Sequence, residues 1–326
     1  MMDQIMVLKF LVEGKEEQIL SANPEMQKIF KAVLTIKDVD DPILLTGETG
    51  VGKDLLTKAI HYSGKRKNKE LVVATCPTLP ETLFESELFG HRKGAFTGAM
   101  ESTDGLISTA DDSTLYLNEI SEIDPSLQIK LLRLVEEKVY TRLGETAQKK
   151  VNIRIIAATN SNLEELIAKG RFRKDLYYRL KVFRYDLPPL RERIEDVPLL
   201  IDHFLKKYCG ERKLALDPMI IEHFKQYDWP GNVRELENNI KNVVSIPLEN
   251  EFISLEFFLE NLGNGKFPKP KIGKTLPEMV AELEKNAIIS ALMQANWVKK
   301  IAAKNLGIPE STIRYKIRYY NITNPQ

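Results

Sequence analysis

Two short stretches of this chain carry residue types that could bind and cleave a nucleoside triphosphate. The first, GETGVGKD, follows an apolar run and precedes a helical pattern, so its backbone N–H groups could surround phosphate oxygens. Lys53 adds a positive charge that could reach the β- and γ-phosphates. The spacing predicts an ATP-binding loop made of Gly47, Glu48, Thr49, Gly50, Val51, Gly52, Lys53 and Asp54.

The second stretch, TLYLNE, is an apolar run that ends in Asn118 and Glu119. A carboxylate at a strand end beside the phosphates could polarise the attacking water, which makes Glu119 the candidate for that role. Asn118 offers a neutral oxygen where a metal-binding carboxylate is expected, and Asp54 stands where Ser or Thr usually contacts the metal. We expect ATP and Mg²⁺ as cofactors, with Asp54, Asn118 and Glu119 around the metal.

Five apolar runs could form the scaffold that positions these residues, and helical patterns separate them. Continuous apolar strands that alternate with helices are typical of an α/β fold with a parallel sheet covered on both faces. From about residue 195 to residue 258 helical patterns dominate, which predicts a separate helical subdomain. The five runs cover residues 42–46, 71–75, 114–118, 151–159 and 182–187.

A glycine-rich hexapeptide, GAFTGA, lies between the two nucleotide motifs. Its glycines predict a flexible loop, and its single phenylalanine should be exposed on it. An exposed ring is costly in water unless it meets a partner part of the time. The loop is therefore a candidate contact surface made of Gly94, Ala95, Phe96, Thr97, Gly98 and Ala99.

Basic charge is concentrated at the C-terminal end. Residues 297–326 hold six Lys or Arg and one Glu, in a chain of 326 residues whose net charge is +1. Residues 299–305 and 309–318 have the pattern of two helices joined by a tight turn, which predicts a DNA-binding helix-turn-helix. Ile313 and Ile317 should pack inward. The outward candidates for DNA contact are Ser311, Thr312, Arg314, Tyr315 and Arg318.

The overall composition excludes several classes of protein. With 47 basic and 46 acidic residues, the chain as a whole has no attraction to nucleic acid or membrane. Its two cysteines lack metal-ligand spacing, exclude a disulfide framework and fit a reducing compartment. The apolar run at residues 5–12 is too short for a spanning helix, and no basic segment precedes it. We expect a cytoplasmic protein without a membrane partner.

Taken in order, the motifs resemble those of the AAA+ bacterial enhancer-binding proteins, which activate sigma-54 RNA polymerase. Residues 85–99 are similar to the family's sigma-54-contacting loop, and residues 154–160, 172–180 and 229–236 resemble its first sensor, arginine-finger segment and second sensor. The C-terminal end resembles the family's Fis-like helix-turn-helix domain. The resemblance covers nearly the whole chain and implies an AAA+ sheet with an α-helical lid.

The resemblance also implies a role for each matching residue. Asn160 would read the γ-phosphate, Arg234 would sense nucleotide from the lid, and Arg173 and Arg179 would be arginine fingers for a neighbouring subunit. Fingers supplied in trans imply a ring, and the resemblance predicts that this ring is a hexamer. Phe96 would be a main contact to sigma-54, together with the adjacent threonine of the loop.

Dimers of the DNA-binding domain are also implied. The helix that precedes the helix-turn-helix could supply the seam between two copies, through Leu283, Ile288 and Leu292.

Three positions differ from the family pattern, and all lie between the nucleotide and the loop. Asn118 replaces an Asp, Thr75 replaces an Asn that pairs with the catalytic Glu, and Arg92 replaces a Glu at the base of the loop. Thr75 is still grouped with the catalytic residues because it occupies that switch position. These differences leave open whether ATP is hydrolysed or only bound.

We expect a sigma-54-dependent transcriptional activator, an ATPase that remodels the closed polymerase complex and binds upstream enhancer DNA. The first alternative is a DNA-binding regulator whose AAA+ ring binds nucleotide but hydrolyses it poorly. A further alternative is a protein-remodelling AAA+ chaperone, which would bind no promoter DNA. Residues 1–20 are too few for a regulatory domain, so control in trans and a truncated chain both stay open. The expected parts are a short N-terminal segment (1–20), an ATPase core (21–190), a lid (191–260), a linker (261–274) and the DNA-binding domain (275–326).

Overall fold

The computed structural model describes residues 5–76, 81–96, 98–210, 214–245, 252–254 and 258, and then 281–322 except for 282–283, 286, 290, 293–294, 296 and 321. The chain divides into two compact units, Met1–Asn264 and Gly265–Gln326. The predicted linker at 261–274 lies outside the described residues. Within the described part of the chain, every helix is too short or too polar to span a bilayer.

The strands of the first unit are β1 (Met6–Val12), β2 (Lys15–Ser21), β3 (Ile43–Thr46), β4 (Leu71–Thr75), β5 (Gly90–His91), β6 (Thr103–Asp104), β7 (Thr114–Asn118), β8 (Val139–Tyr140), β9 (Lys149–Lys150), β10 (Arg154–Thr159), β11 (Phe183–Asp186), β12 (Ala215–Leu216) and β13 (Phe252–Ile253). Its helices are α1 (Pro24–Thr35), α2 (Lys53–Ser63), α3 (Glu81–Phe89), α4 (Leu106–Thr109), α5 (Pro125–Glu137), α6 (Leu163–Ala168), α7 (Lys174–Leu180), α8 (Asp196–Cys209), α9 (Pro218–Lys225) and α10 (Asn232–Ser245).

A five-stranded parallel sheet lies at the centre of this unit, in the order β11-β3-β10-β7-β4. Each of its strands falls inside one of the five predicted apolar runs, which confirms the α/β fold. Side chains alternate between the two faces, so Leu115 and Leu117 of β7 join one core cluster and Tyr116 joins the other. The two clusters bury both faces of the central strands β3, β10 and β7, as is typical of a parallel sheet.

An antiparallel hairpin, β1–β2, precedes the sheet in sequence and packs against α2. The two strands pair from Met6 opposite Ser21 to Val12 opposite Lys15. Leu8, Phe10 and Ile19 are buried in the same core cluster as α1 and α2. The segment expected at residues 1–20 therefore includes most of a hairpin that contributes to the core of the first unit.

Helices α8, α9 and α10 form the helical subdomain predicted after residue 195. Asp196, at the start of α8, is fully buried. Its carboxylate accepts hydrogen bonds from Ser21 Oγ at 2.7 Å and from the backbone nitrogens of Ala22 and Asn23 at 2.6 and 3.2 Å. The buried guanidinium of Arg193 lies 3.9 Å away. This carboxylate joins the hairpin to the lid.

We expect Asp196→Asn to lower the free energy of unfolding by about 3 kcal/mol, because it leaves the buried Arg193 charge without its counterion. The amide also cannot accept all of the hydrogen bonds that the carboxylate accepts. Urea unfolding of the full chain, followed by circular dichroism, measures this loss. Asp202→Asn on the same helix is the matched control, because that exposed carboxylate contacts only Lys206 among the described ion pairs. Equal losses in both variants would contradict the prediction.

In the second unit, α11 (Lys299–Asn305) and α12 (Glu310–Tyr319) form the predicted helix-turn-helix. Ile313 is fully buried and Ile317 packs partly against the same cluster, as expected. Ile288 and Leu292 are 3% and 0% exposed within this cluster. The prediction that these two residues form a seam between copies is therefore wrong, because their surfaces already fill the core of their own unit. Leu283 lies outside the described residues.

Candidate nucleotide site and contact loop

The predicted phosphate-binding loop, residues 47–54, joins the end of β3 to the first turn of α2. Gly50 has φ +81°, and a Cβ atom at this position would lie 2.4 Å from the carbonyl oxygen of Gly231 in the lid. A glycine is therefore required for this close approach. The loop places the N-terminus of α2, where backbone N–H groups are unpaired and favour anions, at the candidate site.

Lys53 is the first residue of α2, and its side chain turns back over the loop. Its Nζ donates hydrogen bonds to the carbonyl oxygens of Gly47 at 2.7 Å and Glu48 at 3.1 Å. Burial lowers the pKa of Lys53, whereas the negative charges of Glu119 and Asp54 raise it. The ammonium group is thus held at the loop with two carboxylates nearby.

Glu119 follows β7 with a left-handed backbone, φ 56°. Its Oε2 accepts a hydrogen bond from the backbone nitrogen of Asn160 at 3.1 Å. The Asn160 side chain in turn donates from Nδ2 to Thr49 Oγ1 at 3.1 Å. Asn160 therefore links the candidate water-activating carboxylate to the phosphate-binding loop. Thr75 ends β4 directly opposite Asn118 in the strand register.

Tyr116 is a site residue that the sequence analysis missed. Its hydroxyl lies 2.7 Å from Asp54 Oδ1 and 3.2 Å from Asn118 Oδ1. Burial, together with the charge of Asp54, raises the pKa of Tyr116, so the hydroxyl stays a neutral donor. The available signal was strand alternation, which puts residues 116 and 118 on the same face of β7.

The residues predicted around Mg²⁺ supply two carboxylates, Asp54 and Glu119, and the amide of Asn118. In nucleotide sites Mg²⁺ is usually bound by one or two carboxylates together with phosphate oxygens. All three side chains line one cavity with the phosphate-binding loop, so this donor set fits a metal bound jointly with a nucleotide. Among the described residues, no group of three or more His, Cys, Asp or Glu could hold a metal ion.

The lid contacts the phosphate-binding loop through polar side chains. Arg191 donates two hydrogen bonds to the Glu48 carboxylate, at 2.9 and 2.6 Å, and these bonds lower the pKa of Glu48. Asn232, buried with φ 52°, donates to Glu48 Oε2 at 3.1 Å. Arg234, the predicted second sensor, has its guanidinium 3.6 Å from Asp54 Oδ2. Arg191 and Asn232 were not predicted, although Asn232 lies inside the recognised 229–236 motif.

These elements enclose a cavity of about 690 Å³, which we call the nucleotide cavity. Its walls come from the phosphate-binding loop, the end of β7, strand β2 and the lid helices α8 and α10. The volume is in the range of cavities that bind small molecules and cofactors. On the β2 side, Gln18 Nε2 lies 3.1 Å from His203 Nδ1 of α8, so the hairpin and the lid meet at the cavity wall.

The two predicted arginine fingers lie at the ends of α7. Arg173 forms a bidentate pair with Asp175, at 3.1 and 2.7 Å, and Arg179 Nε lies 2.5 Å from Glu136 Oε1. Both guanidinium groups are exposed, and neither is among the described residues that line the nucleotide cavity. Exposed ion pairs of this kind are weak and easily exchanged for another partner.

Phe96 is half-buried, which corrects the expectation of an exposed ring. It packs edge to face on His91, with ring centroids 5.0 Å apart, because an aromatic edge is attracted to the face of another ring. His91 Nδ1 lies 2.7 Å from Ser86 Oγ, so α3 holds the ring on which Phe96 rests. Thr97 lies outside the described residues.

Backbone hydrogen bonds join the two ends of the loop at residues 94–99. One of them runs from the backbone nitrogen of Gly94 to the carbonyl oxygen of Ala99, at 2.9 Å. At its base, the backbone nitrogen of Arg92 donates to the carbonyl oxygen of Leu143 at 2.9 Å. The Arg92 side chain is exposed. The loop is thus anchored through its backbone, and the unusual charge at position 92 faces solvent.

The outward face of α12 carries the residues predicted to contact DNA. Ser311, Arg314, Tyr315 and Arg318 are exposed, whereas Thr312 is half-buried. Tyr319, which was not predicted, is 65% exposed and stacks on Tyr315 with centroids 5.9 Å apart. Stacked aromatic rings beside basic side chains extend this face by one helical turn.

Three family models match the chain in sequence. The first, described as the sigma-54 interaction domain, covers residues 19–186. An AAA+ ATPase lid domain matches residues 191–274, and the Fis family of bacterial regulatory proteins matches residues 279–320.

Curated relatives match almost the full chain. The Nif-specific regulatory protein of Azotobacter vinelandii is 40% identical over 315 residues, which cover 95% of this chain and 60% of that protein. Regulatory protein AtoC of Escherichia coli is 39% identical, with 93% and 68% coverage, and the alginate biosynthesis regulator AlgB of Pseudomonas aeruginosa is 41% identical, with 95% and 69% coverage. The chain spans 60 to 69% of the length of these three relatives.

Solved structures of NtrX from Brucella abortus are also similar. The crystal structure in complex with ATP has a TM-score of 0.67 at 26% identity, covering 93% of this chain and 69% of that one. The complex with ADP has a TM-score of 0.69 at the same identity, with 93% and 70% coverage.

Proposed function

This chain belongs to the AAA+ family of sigma-54-dependent bacterial enhancer-binding proteins, and we propose that it hydrolyses ATP to remodel the closed complex of sigma-54 RNA polymerase. The observation that carries this proposal is the position of Asn160, which contacts both Glu119 and Thr49 of the phosphate-binding loop. A site that only stored nucleotide would not need a carboxylate held beside the loop. Nucleotide binding is further supported by the similar NtrX complexes with ATP and ADP.

In the proposed reaction, the backbone of the loop and Lys53 bind the phosphates. Glu119 orients the attacking water and accepts its proton, while Asn160 keeps that carboxylate at the γ-phosphate end of the cavity. Asp54, Asn118 and Glu119 would hold Mg²⁺, which when bound neutralises charge on the phosphate oxygens. Arg234 joins the lid to the same site, so nucleotide state can alter the lid position.

We propose that Arg173 and Arg179 complete the site of the adjacent subunit in a hexameric ring. Their exposure, and their position away from the described lining of their own nucleotide cavity, support a role in trans. The ring would transmit nucleotide state to the loop at residues 94–99, which would contact sigma-54. The C-terminal unit would bind enhancer DNA through α12, and salt should weaken that binding because basic side chains meet phosphates.

In vitro transcription with sigma-54 polymerase on a supercoiled template tests the proposal. We expect open complexes only when ATP is present, and we expect Lys53→Ala to abolish them because the phosphates lose their charged contact. Lys65→Ala is the control, because this lysine follows α2 and pairs with Asp40 on the surface. It should behave as wild type.

The same variants distinguish the proposed ATPase from the alternative of a regulator that hydrolyses ATP poorly. The replacements at Asn118, Thr75 and Arg92 favour that alternative. If wild type binds ATP but turns it over no faster than Lys53→Ala, the proposal of an active ATPase is wrong. The hypothesis of a poorly hydrolysing regulator is then favoured. If residues 275–326 within the full chain bind no promoter DNA at any salt concentration, a protein-remodelling role is favoured instead.

A further inference from the structure

A network of ionic and hydroxyl side chains lies beside the phosphate-binding loop, at the carboxyl ends of β3 and β11. A second cavity, of about 560 Å³, is lined there by the loop and by residues of α6 and α7. No member of the network is among the described residues that line the nucleotide cavity. We call it the carboxylate network, and its members are Thr46, Glu164, Tyr177, Arg184 and Asp186.

Glu164 is the centre of this network. It lies in the first turn of α6, four residues after Asn160 of the candidate site. Its Oε1 accepts a hydrogen bond from the hydroxyl of Tyr177 and another from Arg184 Nη1, the latter at 2.6 Å. The hydrogen bond from Tyr177, together with the bond and charge of Arg184, lowers the pKa of Glu164 to about 2. The carboxylate is therefore charged at neutral pH and holds both partners.

Tyr177 connects this carboxylate to the helix that carries the predicted arginine fingers. It lies in the middle of α7, four residues after Arg173 and two before Arg179, and it is 3% exposed. The helix has only seven residues, and a helix this short depends on tertiary contacts for its stability. A shift of Tyr177 would therefore move both fingers.

Arg184 and Asp186 hold the other side of the network on the sheet. Asp186 ends β11 directly opposite Thr46 in the strand register. Its Oδ1 accepts a hydrogen bond from the Thr46 hydroxyl and another from Arg184 Nε, the latter at 2.9 Å. Thr46 is followed directly by Gly47, the first residue of the phosphate-binding loop. Glu164 thus joins the helix that carries the fingers to the strand that leads into the loop.

We propose that Glu164 is a positioning residue that fixes α7 on the sheet, so that Arg173 and Arg179 reach the nucleotide of the neighbouring subunit. The ion pairs of the two fingers are exposed and weak, so the direction of the fingers depends on how the helix itself is held. A defect at Glu164 would therefore act on the neighbour's site. This inference rests on the proposed function, and in particular on the action of the fingers in trans.

ATP turnover of Glu164→Ala measures the effect. The variant removes the shared acceptor of the network, and we expect turnover to fall by about 10- to 100-fold, since a misplacement of about 1 Å can cost about 10²-fold in rate. Glu165→Ala is the matched control, because it removes the same charge from the same helical turn. The exposed Glu165 carboxylate contacts Asn162 and Lys169, at the two ends of α6. This control should retain wild-type turnover.

Mixed assemblies show on which side of the subunit contact Glu164 acts. A Glu119→Gln subunit keeps its fingers and its carboxylate network, so it should supply correctly held fingers to a Glu164→Ala neighbour, whose Glu119 is intact. Mixing these two variants should therefore restore turnover. An Arg179→Ala subunit receives only the misplaced fingers of its Glu164→Ala neighbour, so mixing these two should restore nothing.

The reverse pattern, with recovery in the Arg179→Ala mixture alone, would overturn the proposal because Glu164 would then act on its own site. Wild-type turnover in Glu164→Ala would also overturn it, as would recovery in both mixtures, or in neither while the subunits still assemble. Tyr177→Phe removes only a hydroxyl from a buried ring, and it should give the same pattern of recovery if Glu164→Ala does not fold. If both variants fail to fold, the network is structural and the proposal is wrong.

A mixture of Glu119→Gln with Arg179→Ala leaves the carboxylate network unchanged and tests the proposed function separately. If wild type has no turnover, or if this mixture does not recover while its subunits assemble, the proposed function is wrong. If this mixture recovers but Glu164→Ala departs from the expected pattern, only the role of Glu164 is wrong.

Discussion

Phe96→Ala should abolish open-complex formation by sigma-54 polymerase while ATP turnover stays close to the wild-type rate. The ring lies half-buried on His91, outside the described lining of the nucleotide cavity, so its removal leaves the phosphate contacts intact. Losing one edge-to-face aromatic contact costs about 0.5–1.5 kcal/mol, too little to unfold the ATPase unit. What the variant loses is the apolar group that the loop would present to its partner.

Parallel assays of ATP turnover and open-complex formation on the same preparation check this result. Met100→Ala is a suitable control, because Met100 is an apolar residue beside the loop that is 81% exposed and is assigned no role. We expect it to retain both activities. Loss of turnover in Phe96→Ala would mean that the loop is structural, and normal open-complex formation would mean that Phe96 is not the contact.

Replacing the arginine fingers should have the largest effect on catalysis itself. An inserted guanidinium stabilises the charge that develops on the γ-phosphoryl oxygens and accelerates hydrolysis by about 10³- to 10⁵-fold. We therefore expect Arg173→Ala or Arg179→Ala to lower turnover by a factor in this range, with ATP affinity much less affected. Stability should be nearly unchanged, because among the described residues both side chains form exposed ion pairs, which contribute little.

Mixed assemblies distinguish action in trans from action in cis. Glu119→Gln subunits and finger variants should each be inactive alone, but a mixed ring would contain sites with an intact Glu119 from one subunit and intact fingers from the next. We expect turnover to recover on mixing. Arg171→Ala, an exposed arginine in the same segment, serves as the control with full activity. If mixing restores nothing while the subunits still assemble, the arginines act within their own subunit.

The scaffold of the site was predictable because its strands are short, continuous apolar runs. All five runs contain strands of the parallel sheet. The central strands β3, β7 and β10 are almost completely buried, so no polar alternation obscures them. The hairpin β1–β2 was not predicted. Its inward residues Leu8 and Phe10 become recognisable only when α2 supplies the surface that buries them.

The errors and omissions in the site have a common physical origin. Tyr116 resembles any aromatic residue of a buried strand, and the partner of its hydroxyl, Asp54, is 62 positions away in the sequence. An apolar helical face such as that of Ile288 and Leu292 fits a core and a dimer seam equally well. Only tertiary packing decides between such alternatives. The catalytic roles of Thr75, Asn160 and Arg234 stay predictions, because position alone does not measure a rate.

The backbone at Glu119 has a consequence for how this protein can evolve. A non-glycine residue in the left-handed region costs of the order of 1–2 kcal/mol, and Glu119 with φ 56° bears such a cost at the strand end. Glycine at this position would relieve the strain but would remove the carboxylate. Mutational searches for greater thermal resistance should therefore favour replacements at this position that would remove the proposed ATPase activity. Selection for that activity would then act against selection for stability at a single residue.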